Sequence, residues 1–167
     1  KRIRRQVNVL AISSNVDPAR LPESGFPVLA DTIPGHAGPL AGILTGLEWS
    51  REQNAQCLAT VACDTPFFPG DLVQRLAAAR TSPECIALAA SGGRAHPIFG
   101  LWPVVLIDEL RHYVETDPRR SVLAFAQRHE HVAVDFPFAF GAVDPFFNIN
   151  TPRDLAEADA LVRKFAL

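Results

Sequence analysis

Short apolar runs separated by helical patterns are the feature that most limits how this chain can fold. The runs show little alternation of apolar and polar positions, as in strands that helices cover on both faces. They lie at residues 7–13, 26–30, 57–62, 86–90 and 132–136. Such strands alternating with helices predict an open, mostly parallel α/β sheet with helices on both faces, a Rossmann-like fold.

Four stretches carry apolar residues at helical spacing, which predicts four amphipathic helices. Their apolar faces are Leu40, Ile43, Leu44 and Leu47; Leu72, Val73, Leu76 and Ala77; Leu106, Ile107, Leu110 and Val114; and Leu155, Ala158, Val162 and Phe165. The last helix also has start signals, because Thr151 can cap it, Pro152 suits the first turn and Asp154 lies near the positive end of the helix dipole.

The composition excludes several classes of protein. A chain of 167 residues that is 48% apolar fits one domain with a real core. Its net charge of −2 gives no basic field for nucleic acid, and no apolar stretch is long enough to span a membrane. Cys57, Cys63 and Cys85 show no CxxC spacing, so we expect no disulfide framework or zinc site and a reducing, cytoplasmic location.

Polar or flexible residues follow the predicted strands, where ligands bind in open α/β sheets. They are Asn15, Asp31, the Gly-rich stretch around Gly38, Pro39 and Leu40, Asp64, and the pair Asn148 and Asn150. Each also has a structural explanation: Asn15 can make a turn, Asp31 can cap a helix, and the glycines can allow tight packing.

Asp64 is the strongest of these candidates. A carboxylate that closes a very apolar strand is costly unless its charge has a partner. Mg²⁺ is a suitable partner, because it takes one or two protein carboxylates together with phosphate oxygens and waters. The sequence therefore predicts a metal site at Asp64.

Gly38, Gly42 and Gly46 leave one face of a predicted helix nearly bare. Its N-terminus offers unpaired N–H groups to an anion or a base edge. Close packing on the sheet explains Gly42 and Gly46 equally well, but it explains Gly38 followed by Pro39 less well.

Four strings in this order resemble the molybdenum cofactor guanylyltransferases. They are GPLAG at 38–42, CDTPFFP at 63–69, HPIFGLW at 96–102 and FFNINTP at 146–152, and the resemblance runs from about Val7 to the C-terminus. It implies a Mg²⁺-dependent nucleotidyltransferase that moves GMP from GTP to the terminal phosphate of molybdopterin or the molybdenum cofactor. Pyrophosphate leaves, and the guanine dinucleotide cofactor forms.

The resemblance also assigns residues. Asn15 and Asp31 resemble positions that contact the guanosine, where Asp31 meets either the guanine N–H donors or the ribose hydroxyls. Gly38, Pro39 and Leu40 join this GTP site, and Asp64 resembles the metal ligand beside the GTP phosphates. Asn148 and Asn150 resemble polar groups of the cleft, with Asn150 counted as catalytic beside Asp64, and His96 lies in the wall on the pterin side.

The family begins with a strand and a Gly-rich loop, LAGG, followed by a basic stretch ending in Lys. We therefore expect residues 1–167 to be one nucleotidyltransferase domain that lacks its first strand–loop unit, with residues 1–6 ending the next helix. A longer polypeptide with that unit upstream of Lys1 is expected.

The other histidines give no ligand spacing. His112, His129 and His131 are expected on the solvated surface. His36 lies in the Gly-rich loop, where we expect a mobile loop residue, with a contact to substrate as the alternative. The alternatives are a cytidylyltransferase or sugar-phosphate nucleotidyltransferase of the same fold, or a non-catalytic protein that escorts the cofactor. Cofactor-biosynthesis proteins and apo-molybdoenzymes are further partners to consider, and neither nucleic acid nor membrane is expected.

Overall fold

Strands and helices alternate along the chain in a computed structural model that describes residues 2–17, 25–33, 38–138 and 144–165. The strands are β1 (Ile12–Ser13), β2 (Val28–Leu29), β3 (Cys57–Thr60), β4 (Ile86–Ser91), β5 (Arg94–Pro103) and β6 (His131–Asp135). The α-helices are α1 (Pro39–Glu52), α2 (Leu72–Ala79), α3 (Ile107–Thr116), α4 (Val122–Ala126) and α5 (Pro152–Phe165). Two 3-10 turns, Ile3–Arg5 and Val104–Leu106, complete the set within these ranges.

The described strands form two sheets. β1 and β2 pair in parallel, and the larger sheet has the order β3-β5-β4-β6. In it β5 runs antiparallel to β3 and β4, whereas β4 and β6 are parallel. As a result β3, β4 and β6 all run the same way, and their carboxyl ends share one edge. The predicted α/β class is confirmed, and the larger sheet is mixed because of β5.

β5 was not predicted as a strand. Gly92 and Gly93 link it to β4, and their φ angles of 54° and 78° are of the positive sign that a tight two-residue hairpin needs. The pairing shifts between Leu88 and Ala89, whose partners on β5 are Gly100 and His96. Pro97 lies in this irregular stretch, where the lack of a backbone N–H costs no hydrogen bond between the strands.

Helices cover both faces of the larger sheet, as predicted. Successive residues of β4 point to opposite faces. Ile86 and Leu88 join a core with α1, α3 and α4, and Ala87 and Ala89 join a second core with α2. The first three predicted helices bury their expected faces, apart from Ala77, which is exposed, and Val73, which is half-buried. α4 was not predicted.

The predicted apolar face of α5 is wrong in part. Leu155 and Val162 are 52% and 40% exposed, while Ala158 is buried. Ala158 and the half-buried Leu161 contact a small cluster built around Phe67. The Phe67 cluster is too small to cover Leu155 and Val162 as well. The side chain of Phe165 lies outside the described residues. None of the helices in the described ranges has the length and apolar character of a membrane span.

Candidate active site

Asn15 and Asp31 meet at the ends of the two paired strands of the smaller sheet. The Asn15 amide donates from Nδ2 to Asp31 Oδ2 at 2.7 Å, and the Asp31 backbone N–H donates to Asn15 Oδ1 at 2.9 Å. Asn15 is exposed, and Asp31 is half-buried. Both polar atoms of the Asn15 amide thereby have a partner, whereas Asp31 Oδ1 has no hydrogen bond among the described residues. The structure brings these two predicted site residues together.

The segment after Asp31 is tied to α1. The Thr32 backbone N–H donates to the buried Thr45 Oγ1 at 3.0 Å. A Cβ at Gly42 would lie 2.9 Å from Ser13 Oγ, and one at Gly46 would lie 2.8 Å from Leu58 Cδ2. The glycines therefore let one helix approach both sheets, which is the close-packing explanation of their spacing.

Gly38 is required for a different reason. Its φ is +67°, and no atom lies within 4 Å of a Cβ built there, so backbone conformation and not space favours glycine. Among the described residues no side chain caps α1, which begins at Pro39. The Leu40 side chain is fully buried in the core. Only backbone groups of Leu40 can therefore contact a ligand in this turn.

Asp64, Thr65 and Asn148 form a second group, called here the Asp64 cluster. Thr65 is buried, with 1% of the residue exposed. Its hydroxyl donates to Asn148 Oδ1 at 2.5 Å and lies 3.2 Å from Asp64 Oδ1. The Asp64 backbone carbonyl accepts from the Ile149 N–H at 2.8 Å. Because a hydroxyl has one proton, the nearer Asn148 takes it and the Asp64 carboxylate keeps its acceptor capacity.

Asn150 lies at the start of α5, held by its backbone. Its N–H and that of Thr151 donate to Asp154 Oδ2, and the Asp154 N–H donates to Thr151 Oγ1. This reciprocal cap confirms the predicted helix start. The hydrogen bond from the Asn150 N–H is the main reason that the pKa of Asp154 is lowered. The exposed Asn150 side chain has no hydrogen bond among the described residues.

His96 belongs to a third group, called here the His96 relay, with Ser91 and Asp144. His96 Nε2 lies 2.8 Å from Ser91 Oγ, which donates to Asp144 Oδ1 at 2.9 Å. The imidazole also stacks on Phe146, with ring centroids 4.5 Å apart. Burial lowers the pKa of His96, as does the charge of Arg94, while Asp144 opposes the shift.

One segment, residues 144–150, joins the two groups. Asp144 bonds to Ser91, Phe146 stacks on His96, and Asn148 bonds to Thr65. Thr65, Ser91 and Asp144 were not predicted as site residues. Thr65 lies inside the CDTPFFP string, which was a signal for it, but no local pattern marks the other two.

The remaining histidines fall into three cases. His112 and His131 are exposed, as expected. His129 is not on the solvated surface: its side chain is 14% exposed, packs at a tilt against the Phe125 ring and lies 3.6 Å from Glu109. Its place after α4 explains the burial. His36 lies outside the described residues.

Comparisons with known proteins identify the family of the chain. A family model described as the MobA-like NTP transferase domain matches residues 1–133. The molybdenum cofactor guanylyltransferase of Mesorhizobium japonicum is 53% identical over 161 residues, which cover 95% of this chain and 77% of that protein. The enzyme of the same name from Rhizobium meliloti is 47% identical, with 96% and 76% covered.

Solved structures share the fold. Molybdopterin-guanine dinucleotide biosynthesis protein A from Archaeoglobus fulgidus has a TM-score of 0.59 at 21% identity, covering 84% of this chain and 70% of that one. A protein of Aquifex aeolicus has the same TM-score at 15% identity, covering 76% and 63%. At these identities the likeness concerns the fold alone.

Proposed function

Because the chain belongs to the MobA-like NTP transferase family, and within it to the molybdenum cofactor guanylyltransferases, we propose that it transfers GMP from GTP to the terminal phosphate of molybdopterin or the molybdenum cofactor. Pyrophosphate leaves, and the guanine dinucleotide cofactor forms. The observation that carries the proposal is 53% identity to such an enzyme over 95% of the chain. The grouping of Asn15 with Asp31 and of Asp64 with Asn148 supports it.

The Asn15–Asp31 pair is proposed to hold the guanosine. Asn15 fixes one carboxylate oxygen of Asp31 and leaves the other, Oδ1, as an acceptor near Gly42 at the start of α1. Guanine presents two donors side by side, N1–H and the 2-amino group, which suit a carboxylate and backbone carbonyls around Pro39 and Leu40. The ribose hydroxyls are the other group that Asp31 can bind. Comparing the binding of GTP with that of two analogues distinguishes these possibilities. Inosine triphosphate lacks the 2-amino group, and 2′-deoxy-GTP lacks one ribose hydroxyl.

The Asp64 carboxylate fits a Mg²⁺ ion in this proposal. No cation pairs with it among the described residues, and its neighbour Thr65 directs its proton to Asn148. Within the same ranges no group of three or more His, Cys, Asp or Glu side chains could hold a metal alone. Mg²⁺ commonly takes few carboxylates and completes its shell with phosphate oxygens and water. When bound, it would neutralise charge developing on the phosphate oxygens.

The proposed transfer requires the protein to position two phosphate groups and does not require a side chain to move a proton. An oxygen of the acceptor phosphate bonds to the α-phosphorus of GTP while the bond to the departing pyrophosphate oxygen breaks. No general base is needed, since a phosphate monoester is largely ionised at pH 7. Thr65 holds Asn148 by its carbonyl, which leaves the Nδ2 donors of Asn148 for a phosphate or pterin oxygen. Asn150 supplies a second amide from the start of α5.

Pyrophosphate release tests the proposed reaction. With molybdopterin supplied, the full-length protein should release pyrophosphate from GTP and far less from CTP or ATP. Faster release from CTP would make it a cytidylyltransferase, and release that needs a sugar phosphate would make it a sugar-phosphate nucleotidyltransferase. Tight molybdopterin binding without release would favour an escort protein. A cytoplasmic location and contacts with cofactor-biosynthesis proteins and apo-molybdoenzymes remain predictions.

A further inference from the structure

Residues 144–150 join the His96 relay to the Asp64 cluster, and the phosphoryl transfer itself gives Ser91 and Asp144 no role. Ser91 is 2% exposed and closes β4, while His96 lies near the start of β5, across the Gly92–Gly93 turn. Asp144 brings in the segment that also carries Asn148. The same segment therefore positions both Asp144 in the relay and Asn148 in the Asp64 cluster.

The direction of the hydrogen bonds in the relay follows from proton counting. A serine hydroxyl has one proton, and an ionised carboxylate only accepts. Asp144 Oδ1 accepts from Ser91 Oγ at 2.9 Å and from the Phe146 N–H at 2.9 Å. Ser91 has therefore no proton left for His96, so the bond of 2.8 Å requires His96 Nε2 to carry the hydrogen. The neutral ring then has a bare lone pair on Nδ1.

Nδ1 is available to a ligand. No hydrogen bond within the described ranges reaches it, and no buried side-chain nitrogen or oxygen there lacks a partner. His96 is half-buried, so Nδ1 lies on its accessible side. Phe146 on one face and Ser91 at Nε2 hold the ring in one orientation.

We propose that Ser91 and Asp144 are positioning residues that lock His96 as an acceptor at Nδ1, and that this acceptor recognises an N–H donor of the pterin ring of the second substrate. The proposal rests on the proposed function for the identity of that substrate. A pterin carries ring and exocyclic N–H donors, whereas its phosphate has none when ionised. An uncharged acceptor discriminates between the two ends of the molecule, because it binds the ring and does not attract the phosphate.

The tautomer is tested without any substrate. Nitrogen-15 NMR of the histidine rings, with the His96 signals identified by their loss in His96→Asn, should show hydrogen on Nε2 and none on Nδ1 at neutral pH. Ser91→Ala should give a mixture of tautomers. Hydrogen on Nδ1 in the wild-type protein, or an unchanged tautomer in Ser91→Ala, would overturn the relay whether or not the enzyme transfers GMP.

Binding of molybdopterin tests the ligand. Ser91→Ala should raise its Kd about tenfold, the scale of one lost hydrogen bond, and leave the Kd of GTP unchanged. Ser82→Ala is the matched control, because Ser82 Oγ also donates to a carboxylate, that of Glu130. Ser82 precedes the first residue of β4, whereas Ser91 is its last residue. An unchanged Kd for molybdopterin in Ser91→Ala, or an equal rise in Ser82→Ala, contradicts the proposal.

A second pair of variants remains informative if Ser91→Ala folds poorly. Asparagine places its amide near the position of Nδ1, and glutamine places it near Nε2. His96→Asn should therefore bind molybdopterin more tightly than His96→Gln. The reverse order would assign the contact to Nε2 and remove Nδ1 from recognition.

The pH dependence separates the pterin ring from the phosphate. The pKa of His96 is lowered by burial and by Arg94 and raised by Asp144, and the net effect is a decrease from 6.5. As pH falls through that pKa, Nδ1 gains a proton and stops accepting, so the Kd of molybdopterin should rise relative to that of His96→Asn. A Kd that falls instead would mean that a cationic His96 binds the phosphate, and the proposal would fail.

Discussion

The two carboxylates of the candidate active site, Asp31 and Asp64, are held in different ways. Asp31 shares two hydrogen bonds with Asn15, one through its side chain and one through its backbone. Asp64 is held mainly by its backbone carbonyl, which accepts from Ile149. Removing the charge of Asp64 should therefore leave the local structure intact, whereas changes at Asp31 also release Asn15.

Asp64→Asn is expected to abolish most guanylyl transfer. The substitution is nearly isosteric, and a lost electrostatic group of this kind commonly reduces turnover by about 10² or more. Turnover measured across Mg²⁺ concentrations, with the thermal midpoint as a check on folding, tests this. Thr65→Val is the companion variant: it removes the hydroxyl that holds Asn148 while leaving the carboxylate. Near-native turnover of Asp64→Asn would remove this residue from the mechanism.

Asp31→Ala is expected to weaken GTP binding by about 1–3 kcal/mol, because it leaves polar donors of the nucleotide unpaired. Molybdopterin binding should change little. Asn15→Ala should act through the same two hydrogen bonds, so the double variant should lose less than the sum of the single losses. Calorimetry on the four proteins gives this coupling. Equal losses for both ligands would instead indicate a folding defect.

Helix α1 approaches both sheets through two glycines, Gly42 and Gly46. Gly42→Ala should destabilise the fold by about 1–3 kcal/mol, because the new methyl group would meet Ser13 Oγ at 2.9 Å. Adding Ser13→Ala should restore much of the loss, since the remaining Ser13 Cβ lies 3.8 Å away. Gly46→Ala is the control: it meets Leu58, so Ser13→Ala should not rescue it. Urea unfolding measures all four variants.

The cap of α5 should respond to acid. The pKa of Asp154 is depressed below 3.8 by hydrogen bonds from Asn150 and Thr151. Its contribution to stability is therefore present above pH 3.8 and is lost as pH falls through the lower folded pKa. The thermal midpoint of Asp154→Ala should lie below that of the wild-type protein at neutral pH, and the gap should close in acid. A constant gap would contradict the assigned cap.

Local patterns predicted most elements but not β5 or the relay. The apolar runs and helical stripes identified β3, β4, β6 and three helices well, because each buries a face that its own sequence defines. β5 was not predicted because Pro97 lies within it and the irregular pairing beside Leu88 disturbs the alternation of inward and outward side chains. Ser91 and Asp144 are 53 positions apart in sequence, so their bond depends on tertiary packing that no local pattern encodes.

Across the chain as a whole, α1 and the segment 144–150 connect the parts of the candidate site. α1 packs on Ser13 of the smaller sheet at Gly42 and on Leu58 of the larger sheet one turn later, at Gly46. The proposed guanosine residues are thus fixed relative to the strand that leads to Asp64. Segment 144–150 then links the Asp64 cluster to the His96 relay, the side where we propose that the pterin binds.

Following the α-phosphorus of GTP tests the proposed transfer most directly. When GTP labelled at that atom is incubated with molybdopterin, Mg²⁺ and the full-length protein, the label should appear in a pterin–guanine dinucleotide identified by mass spectrometry. One unlabelled pyrophosphate should form per product, and Asp64→Asn should form neither. Label that remains in GTP or appears only as free GMP, while the protein is folded and binds both substrates, would contradict guanylyl transfer.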